Sequence, residues 1–352
     1  MDMGILRPTT LTAAVALAAS GLATFPAQAD TLTANTGTIN SATFSASPPP
    51  SGAPGGVSPE VYYDAATGTY YLLTTGQPRS VQYTSRDGSS WTPTSVQLPD
   101  RGIDWSIVQE GPSSFRLYYA EMAATTPGSG PQQPCTPGSK VLKYATSSDL
   151  QTWTPQPGTL LGDVGCGVPH VMKTSAGRYF LYFNKAVPQE GVWISTSTDG
   201  LSWSAPTGPI NGDDQLVDPA PLELPDGTFV MVGSTRGNPM KGELQYLQLL
   251  ASSDAVNWVK RTKALYAPSG AGAFDPSIEL VDGRLRVWFG YSPGGSYDAA
   301  AITDGVLTLG PGKSATGAGV KAKAGKKCTK KGASSGTLVC AKVKGKLIWK
   351  RR

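Results

Sequence analysis

Short alternations of apolar and polar residues dominate the chain between residues 57 and 310, and no useful stretch repeats with the period of an amphipathic helix. The clearest apolar runs are aromatic: Tyr70-Tyr-Leu-Leu, Phe115-Arg-Leu-Tyr-Tyr and Tyr179-Phe-Leu-Tyr-Phe. Runs of this kind between turn residues are typical of β-strands. The composition, with 42 Gly, 29 Pro and only 16% charged residues, suits a loop-rich all-β protein.

A seven-residue box with Ser, Asp and Trp at fixed spacing occurs four times, at 85–91, 147–153, 197–203 and 252–258. Its serines fall 62, 50 and 55 residues apart, which indicates repeated structural units. Two copies read Asp-Gly, a strong signal for a tight hairpin. We expect the Asp to accept backbone N–H bonds in the turn and the Trp to pack between units, so the box has a structural role.

Five units can be laid over one another, each with a first strand, an aromatic second strand and a box between the third and fourth strands. The first strands begin near Val57, Ile103, Val168, Val217 and Phe274. Five units of four antiparallel strands predict an all-β, five-bladed β-propeller. The fifth unit keeps only a degenerate box, Thr303 to Gly305, and lacks strands at its end, so we hypothesise that residues 38–45 complete it.

The predicted organisation has five segments. Residues 1–29 read as a secretory signal with Arg7, an apolar run and Ala27-Gln-Ala29 before the cleavage point, which predicts a secreted, extracellular protein. An uncleaved membrane anchor is the alternative, and no other segment is apolar enough to cross a membrane. Residues 30–56 form an N-terminal linker, 57–310 the propeller, 311–327 a flexible linker and 328–352 a basic two-cysteine module.

The overall charge of +5 hides two parts of opposite sign. Residues 311–352 hold 13 Lys and Arg and no acid, whereas the rest of the chain holds 17 basic and 25 acidic residues. The tail is either a solubilising end or an electrostatic adhesin for an anionic cell surface. Nucleic acid is disfavoured, because aromatic stacking groups are nearly absent from the tail.

The first-strand starts carry the candidate chemistry, because they and the second-strand ends share one rim of a propeller. Residues two positions apart lie on the same side of a strand. The strand starts and the positions two residues further along therefore bring four carboxylates and the only histidine of the chain to one funnel. Carboxylates crowded in a concave site push their pKa values apart, as acid and base roles require. The alternative is that an Asp at a strand start only caps a turn. The candidate catalytic residues are Glu60, Asp104, Asp218 and Asp275, and the candidate substrate-binding residues are Ser58, Glu121, His170, Arg236 and Tyr291.

The four cysteines are expected to form two disulfides. Cys135 lies in a long loop of the second unit and Cys166 just before the third, so a bond between them would hold that loop over the funnel. Cys328 and Cys340 would close the short tail module. Metal binding by these cysteines is disfavoured, because no Cys-x-x-Cys spacing exists.

The aspartates before proline at strand starts, the aromatic second strands and the boxes together resemble the clan of five-bladed propeller glycosidases that contains arabinanases, β-xylosidases and fructosidases. The resemblance covers about residues 57–310. The tail, which reads Lys346-Leu-Ile-Trp near its end, resembles a small two-cysteine module of secreted actinobacterial proteins.

The resemblance implies a glycoside hydrolase that acts on plant or microbial polysaccharide or oligosaccharide. The clan's base Asp in blade one corresponds to Ser58, its second Asp to Asp104, and its acid Glu to Gly167, ahead of Val168-Pro169. Serine cannot act as the base, and glycine can donate no proton. Three interpretations stay open: a hydrolase with a rearranged carboxylate set, a propeller that binds glycans without catalysis, and a structural propeller that binds another protein. A sialidase is disfavoured, because Arg236 is the only clear rim arginine.

No cofactor is required by this chemistry, although the channel could hold a structural calcium ion near His170 or the aspartates. The expected partner is a carbohydrate, and we expect a monomer.

Overall fold

The computed structural model describes residues 32–76, 79–122, 135–237 and 243–311, and the backbone of three strands between 334 and 351. The predicted signal segment 1–29 and Cys328 lie outside the described residues. Among the described residues, no helix combines the length and the apolar character needed to span a membrane.

The described chain folds into five antiparallel blades, which we number from the N-terminus, and the first strands pack against one another in a closed ring. The first two blades comprise Val57–Asp64, Thr69–Thr75, Val81–Ser85 and Thr92–Pro93, then Gly102–Gly111, Ser114–Met122, Lys140–Ser147 and Thr154–Pro155. The third comprises Gly167–Lys173, Tyr179–Lys185 and Gly191–Ser197. The last two comprise Leu216–Glu223, Phe229–Thr235, Leu247–Ser252 and Trp258–Lys260, then Ala271–Val281, Arg284–Pro293, Ala301–Thr308 and Thr43–Ala46.

The prediction of five units, each a blade, is confirmed. The prediction of four strands in every unit is wrong for blade 3, which has three. Its outer edge is a single bridge between Ile194 and Thr207. The fourth strands are short, and that of blade 1 comprises only Thr92–Pro93.

Blade 5 is completed by the N-terminal strand Thr43–Ala46, which pairs antiparallel with Ala301–Thr308. The predicted closing segment began too early, because Thr36–Asn40 is a short helix. Asn35 caps that helix, its Oδ1 accepting from the backbone N–H groups of Gly37 and Thr38. Short 3-10 turns lie at Ile210–Gly212 and Tyr297–Ala299.

Apolar burial is concentrated between blades. Among the described residues, five clusters of buried side chains each lie at one blade–blade interface, so every blade depends on both neighbours. The clusters include the fully buried Trp288, Tyr118, Tyr182 and Phe289. Burying large aromatics of this kind supplies much of the stabilisation of such a fold.

The four boxes join blades 1 to 4 each to the blade before it, whereas the degenerate box of blade 5 lies within the strand Ala301–Thr308. In each of the four, the Asp carboxylate accepts two backbone N–H bonds, as at Asp199 from Leu201 and Ser202. The carbonyl of the fourth box residue then accepts from a buried side chain of the preceding blade; for blade 3, the Tyr118 hydroxyl donates to the Gly200 carbonyl at 2.9 Å. The equivalent carbonyls of the other boxes accept from Trp288, Gln82 and Tyr182. The box therefore has the structural role expected of it.

The tail contains a separate three-stranded antiparallel sheet, Ser334–Ser335, Leu338–Val343 and Lys346–Arg351.

Candidate functional site on the funnel face

We call the face where the first strands begin the funnel face, and the face that carries the boxes the box face. Each first strand begins with a β-bulge whose first residue is in the left-handed region, with φ between 49° and 55°. These five ring residues are Ser58, Asp104, Val168, Asp218 and Asp275. All four polar ring residues are positions that the sequence predicted for the site.

Each ring residue turns its backbone N–H toward the preceding blade, where one side-chain oxygen accepts it. For three of them the acceptor belongs to the preceding second strand: Thr75 Oγ1 for Asp104, Asn184 Oδ1 for Asp218 and Ser234 Oγ for Asp275, at 2.8, 2.9 and 2.9 Å. For the other two, the acceptor is the preceding ring carboxylate. Asp104 Oδ2 accepts from Val168 at 3.1 Å, and Asp275 Oδ2 accepts from Ser58 at 3.0 Å.

Asp104 and Asp275 take this role because their own second strands offer no polar side chain there. Ala120 and Gly290 occupy the positions equivalent to Thr75. A Cβ on Gly290 would lie 2.5 Å from the Phe274 ring, so no side chain fits. Two of the three ring aspartates therefore hold the ring together, which is the structural alternative raised for them from the sequence.

Among the described residues, no backbone N–H of the ring donates a hydrogen bond to the Asp218 carboxylate, unlike those of Asp104 and Asp275. The Asp218 carboxylate accepts from Asn184 Nδ2 at 2.7 Å. Burial raises the pKa of Asp218 and of Asp275, and the Asp218 charge raises the pKa of Asp275 further, so the two carboxyl groups lie close together.

A lysine fills the place that the resemblance assigned to the acid. Lys140 Nζ donates to the Cys166 carbonyl at 2.5 Å and lies 3.5 Å from Asp104 Oδ2. A Cβ on Gly167 would lie 2.7 Å from each of Lys140 Nζ and Asp104 Oδ2. No longer side chain fits at residue 167 unless this lysine moves.

The predicted single funnel is divided into two levels, which corrects the sequence expectation. The second residue of each bulge lines the channel between the levels: Pro59, Trp105, Pro169, Pro219 and Pro276. They surround a cavity of about 20 Å³, room for about one water molecule. Glu60 and His170 extend past it to the box-face side, where His170 Nδ1 lies 3.9 Å from Glu60 Oε2.

Glu60 also contributes a bond between blades, because its Oε1 accepts from the Ile107 N–H at 2.7 Å. Ser106 and Ser277, at equivalent positions, accept from the first strands of the following blades. Burial raises the pKa of Glu60 well above its usual value. Burial lowers the pKa of His170 to about 4, so the imidazole is uncharged at neutral pH.

A pocket of about 280 Å³ opens beside Asp218 on the funnel face. Its polar lining comes from blades 3, 4 and 5: Asn184, Lys185, Glu190, Asp218, Arg236, Gln245 and Tyr297. The exposed Tyr297 donates its hydroxyl proton to Gln245 Oε1 at 2.6 Å, and its ring meets Phe274 edge-on at 4.8 Å. Within the part described, this pocket offers donors, acceptors and an aromatic surface to one sugar-sized ligand.

The remaining predicted residues lie at different places. Arg236 lines this pocket, with Nη1 2.6 Å from Glu190 Oε2. Glu121 is at the rim, 3.6 Å from Lys143 Nζ. Tyr291 packs against the core cluster between blades 4 and 5, so the structure does not bring it to the pocket.

The predicted Cys135–Cys166 disulfide is confirmed and lies next to the pocket. Among the described residues, no group of three or more His, Cys, Asp or Glu side chains is placed to hold a metal ion. The calcium ion stays a prediction.

Sequence reasoning missed Lys140, Asn184 and Tyr297. A signal existed for Asn184, since a polar residue at the equivalent second-strand position recurs as Thr75 and Ser234. Lys140 follows a long loop, and Tyr297 lies in a loop between two strands, so neither position is fixed by strand periodicity.

Structural comparison defines the class of fold. The chain is similar to the α-L-arabinanase of Cellvibrio cellulosa complexed with arabinohexaose, with a TM-score of 0.52, 14% identity and coverage of 71% of this chain and 91% of that one. It is also similar to the endo-arabinase of Bacteroides thetaiotaomicron, with a TM-score of 0.54, 14% identity and coverage of 73% and 94%. It is similar as well to an endo-1,4-β-xylanase from the same organism, with a TM-score of 0.53, 14% identity and coverage of 72% of this chain and 94% of that one.

At these identities the likeness establishes the five-bladed propeller fold and nothing finer. No family model matches the sequence. No curated protein matches it either.

Proposed function

We propose that this protein is a carbohydrate-binding propeller that holds a sugar in the funnel-face pocket beside Asp218 and does not cleave it by the two-carboxylate mechanism. The observation that carries the proposal is Lys140, whose ammonium group stands between Gly167 and Asp104, where the resemblance places the acid. A glutamate side chain at residue 167 would need the space that this lysine occupies, so the place of the acid is filled. Asp104 and Asp275 are engaged by backbone N–H groups of the ring.

The pocket supports carbohydrate as the ligand. Sugars are bound by several polar groups around a ring-sized cleft with an aromatic surface, and Asn184, Gln245, Arg236 and Tyr297 supply these groups. The structural neighbours include an arabinanase complexed with arabinohexaose, which supports a glycan partner through likeness of fold alone.

A hydrolase is the second candidate, and the Asp218–Asp275 pair is what favours it. Two neighbouring buried carboxyl groups at a pocket can act as acid and base. However, glycoside hydrolysis needs two carboxyl groups that both act on the substrate or its water. Asp275 instead accepts the Ser58 N–H, which leaves Asp218 without a second carboxyl group free of the ring.

The experiment uses the chain from residue 30 to 352. Binding would be measured by calorimetry and affinity electrophoresis on arabinan, xylan, fructan and galactan, and hydrolysis would be measured on the same polysaccharides and on matching aryl glycosides. We expect binding that Tyr297→Ala weakens at least tenfold and no turnover above a heat-inactivated sample. Turnover that Asp218→Asn abolishes would replace this proposal with the hydrolase. If neither binding nor turnover is detected, both the carbohydrate-binding function and the hydrolase are refuted.

Export and adhesion belong to the same proposal. The signal-like residues 1–29 and the 13 basic residues of 311–352 support a secreted protein held at an anionic surface. N-terminal sequencing of protein recovered from medium tests export. Retention of the whole chain, but not of a form ending at residue 311, on an anionic resin at about 0.15 M salt tests adhesion.

A further inference from the structure

A second cavity, of about 350 Å³, opens on the box face at the propeller axis. It is lined by the later residues of the five first strands, beyond the level of the bulge prolines. Half of its lining residues are apolar, and these include the buried Val61, Ile107, Val171, Pro221 and Ile278. The proposed carbohydrate site uses none of these residues.

Acid groups lie in the wall of this cavity without a cationic partner. Glu60 has a side chain only 6% exposed, and Glu279 comes from blade 5 close enough for its charge to raise the pKa of Glu60. Neither carboxylate forms an ion pair with a lysine or arginine among the described residues. The lining lysine, Lys173, is held by Glu110 at 2.7 Å.

The other titratable groups facing the cavity are His170 and Tyr62. His170 is uncharged at neutral pH, and burial raises the pKa of Tyr62, so neither carries a charge there. The cavity thus combines an apolar part of its wall with one buried and one partly buried acid, and no described lining residue offers it a free cation. An alkyl chain with a terminal cation would match both parts.

We propose that the box-face cavity binds a primary alkylammonium group, with the aliphatic stem against the apolar wall and the ammonium between Glu60 and Glu279. The group is either a free aliphatic amine or a lysine side chain of another protein. Burial raises the pKa of Glu279 to about 8, so this acid is mostly protonated at pH 7. An arriving cation favours its ionised form, and binding therefore releases a proton.

The test is titration calorimetry at pH 7 on the whole chain from residue 30, with n-butylamine hydrochloride as probe and butan-1-ol as the neutral control of similar shape. We expect saturable binding of butylammonium only, with an observed enthalpy that changes with the ionisation enthalpy of the buffer. Glu279→Gln should weaken binding at least tenfold and reduce the proton release. Glu121→Gln, a glutamate on the opposite face, should change neither.

Equal binding of butan-1-ol, or unchanged binding in Glu279→Gln, would overturn the proposal. So would the absence of saturation up to about 50 mM amine, since such an affinity would be below about 2 kcal/mol. Circular dichroism confirms that the variant is folded. A Gly-Lys-Gly peptide that binds at least as tightly as butylamine identifies the protein-borne source, and a peptide that fails while butylamine binds identifies the free amine.

Discussion

Replacing Lys140 with methionine is the sharpest test of the idea that Asp104 serves the ring. The two side chains are 13% and 7% exposed, and their charged atoms are 3.5 Å apart. Lys140→Met keeps the aliphatic stem but leaves the Asp104 carboxylate with the Val168 N–H as its remaining described partner and removes the donor to the Cys166 carbonyl. Removing one partner of a buried ion pair costs about 3–5 kcal/mol.

We therefore expect Lys140→Met to destabilise the protein by about 3 kcal/mol at pH 7, or roughly 6 °C in Tm for a domain of this size. Unfolding in guanidinium chloride at pH 7 measures this loss.

Two variants control the measurement. Lys143→Met removes a lysine from the same strand whose pairing with Glu121 is more exposed, at 27% and 18%, and should cost at most about 1 kcal/mol. The double variant Lys140→Met/Asp104→Asn removes both charges and should recover most of the loss. If Lys140→Met costs no more than Lys143→Met, Asp104 does not depend on this lysine, and the argument against a proton donor at this place fails.

Four further results are expected. Tyr118→Phe removes the hydroxyl that donates to the Gly200 carbonyl and should lower the free energy of unfolding by about 1–3 kcal/mol in the same denaturation assay. The control is Tyr144→Phe, because the Tyr144 hydroxyl has no hydrogen-bond partner among the described residues, and it should cost less than about 0.5 kcal/mol. Because the pKa of Glu279 is raised from its usual value to about 8, its native form keeps a proton that the unfolded chain loses, so stability should fall between about pH 5 and 8; Glu279→Gln should flatten that slope, and an unchanged slope would contradict it. Hydrogen bonds from the turn lower the pKa of Asp254 to about 2 against burial, so its contribution is present above about pH 4 and lost as the pH falls toward 2; Asp254→Asn should destabilise at pH 6 and have little effect at pH 2, and equal effects at both pH values would refute this. Val168→Asn places a residue that tolerates φ of 49° at a β-branched position and should raise the unfolding free energy by about 1 kcal/mol, while a decrease would show that the packing of Val168 outweighs its backbone strain.

The sequence was sufficient for the repeat, the number of blades and the positions of the ring. These follow from short-range patterns, namely strand alternation and the box, which do not depend on which blades become neighbours. The structural role of the boxes was predicted for the same reason, since Asp199 bonds residues only two and three positions away.

The hydrogen-bond partner of each ring carboxylate could not be predicted from the sequence of its own blade. Asp275 accepts the N–H of Ser58 because Gly290 leaves no alternative and because the ring brings blade 5 against blade 1. The alternation rule also placed Glu60 with Ser58, but the bulge inserts Pro59 and separates the two levels. Both outcomes depend on contacts between residues more than 200 positions apart or on a local break in strand periodicity.

The strand that completes blade 5 also constrains the order in which the protein can form. Thr43–Ala46 precedes the other strands of the described chain, yet its partner, Ala301–Thr308, lies about 260 residues later. At a synthesis rate of roughly 5–20 residues per second, the early strand waits on the order of 10–50 s for the strand it must join. During that interval blades 1 to 4 can form their hairpins, whereas the circle stays open at blade 5. Closure is therefore the last event of assembly, and a shortened N-terminus would leave the edge of Ala301–Thr308 unpaired and available to another chain.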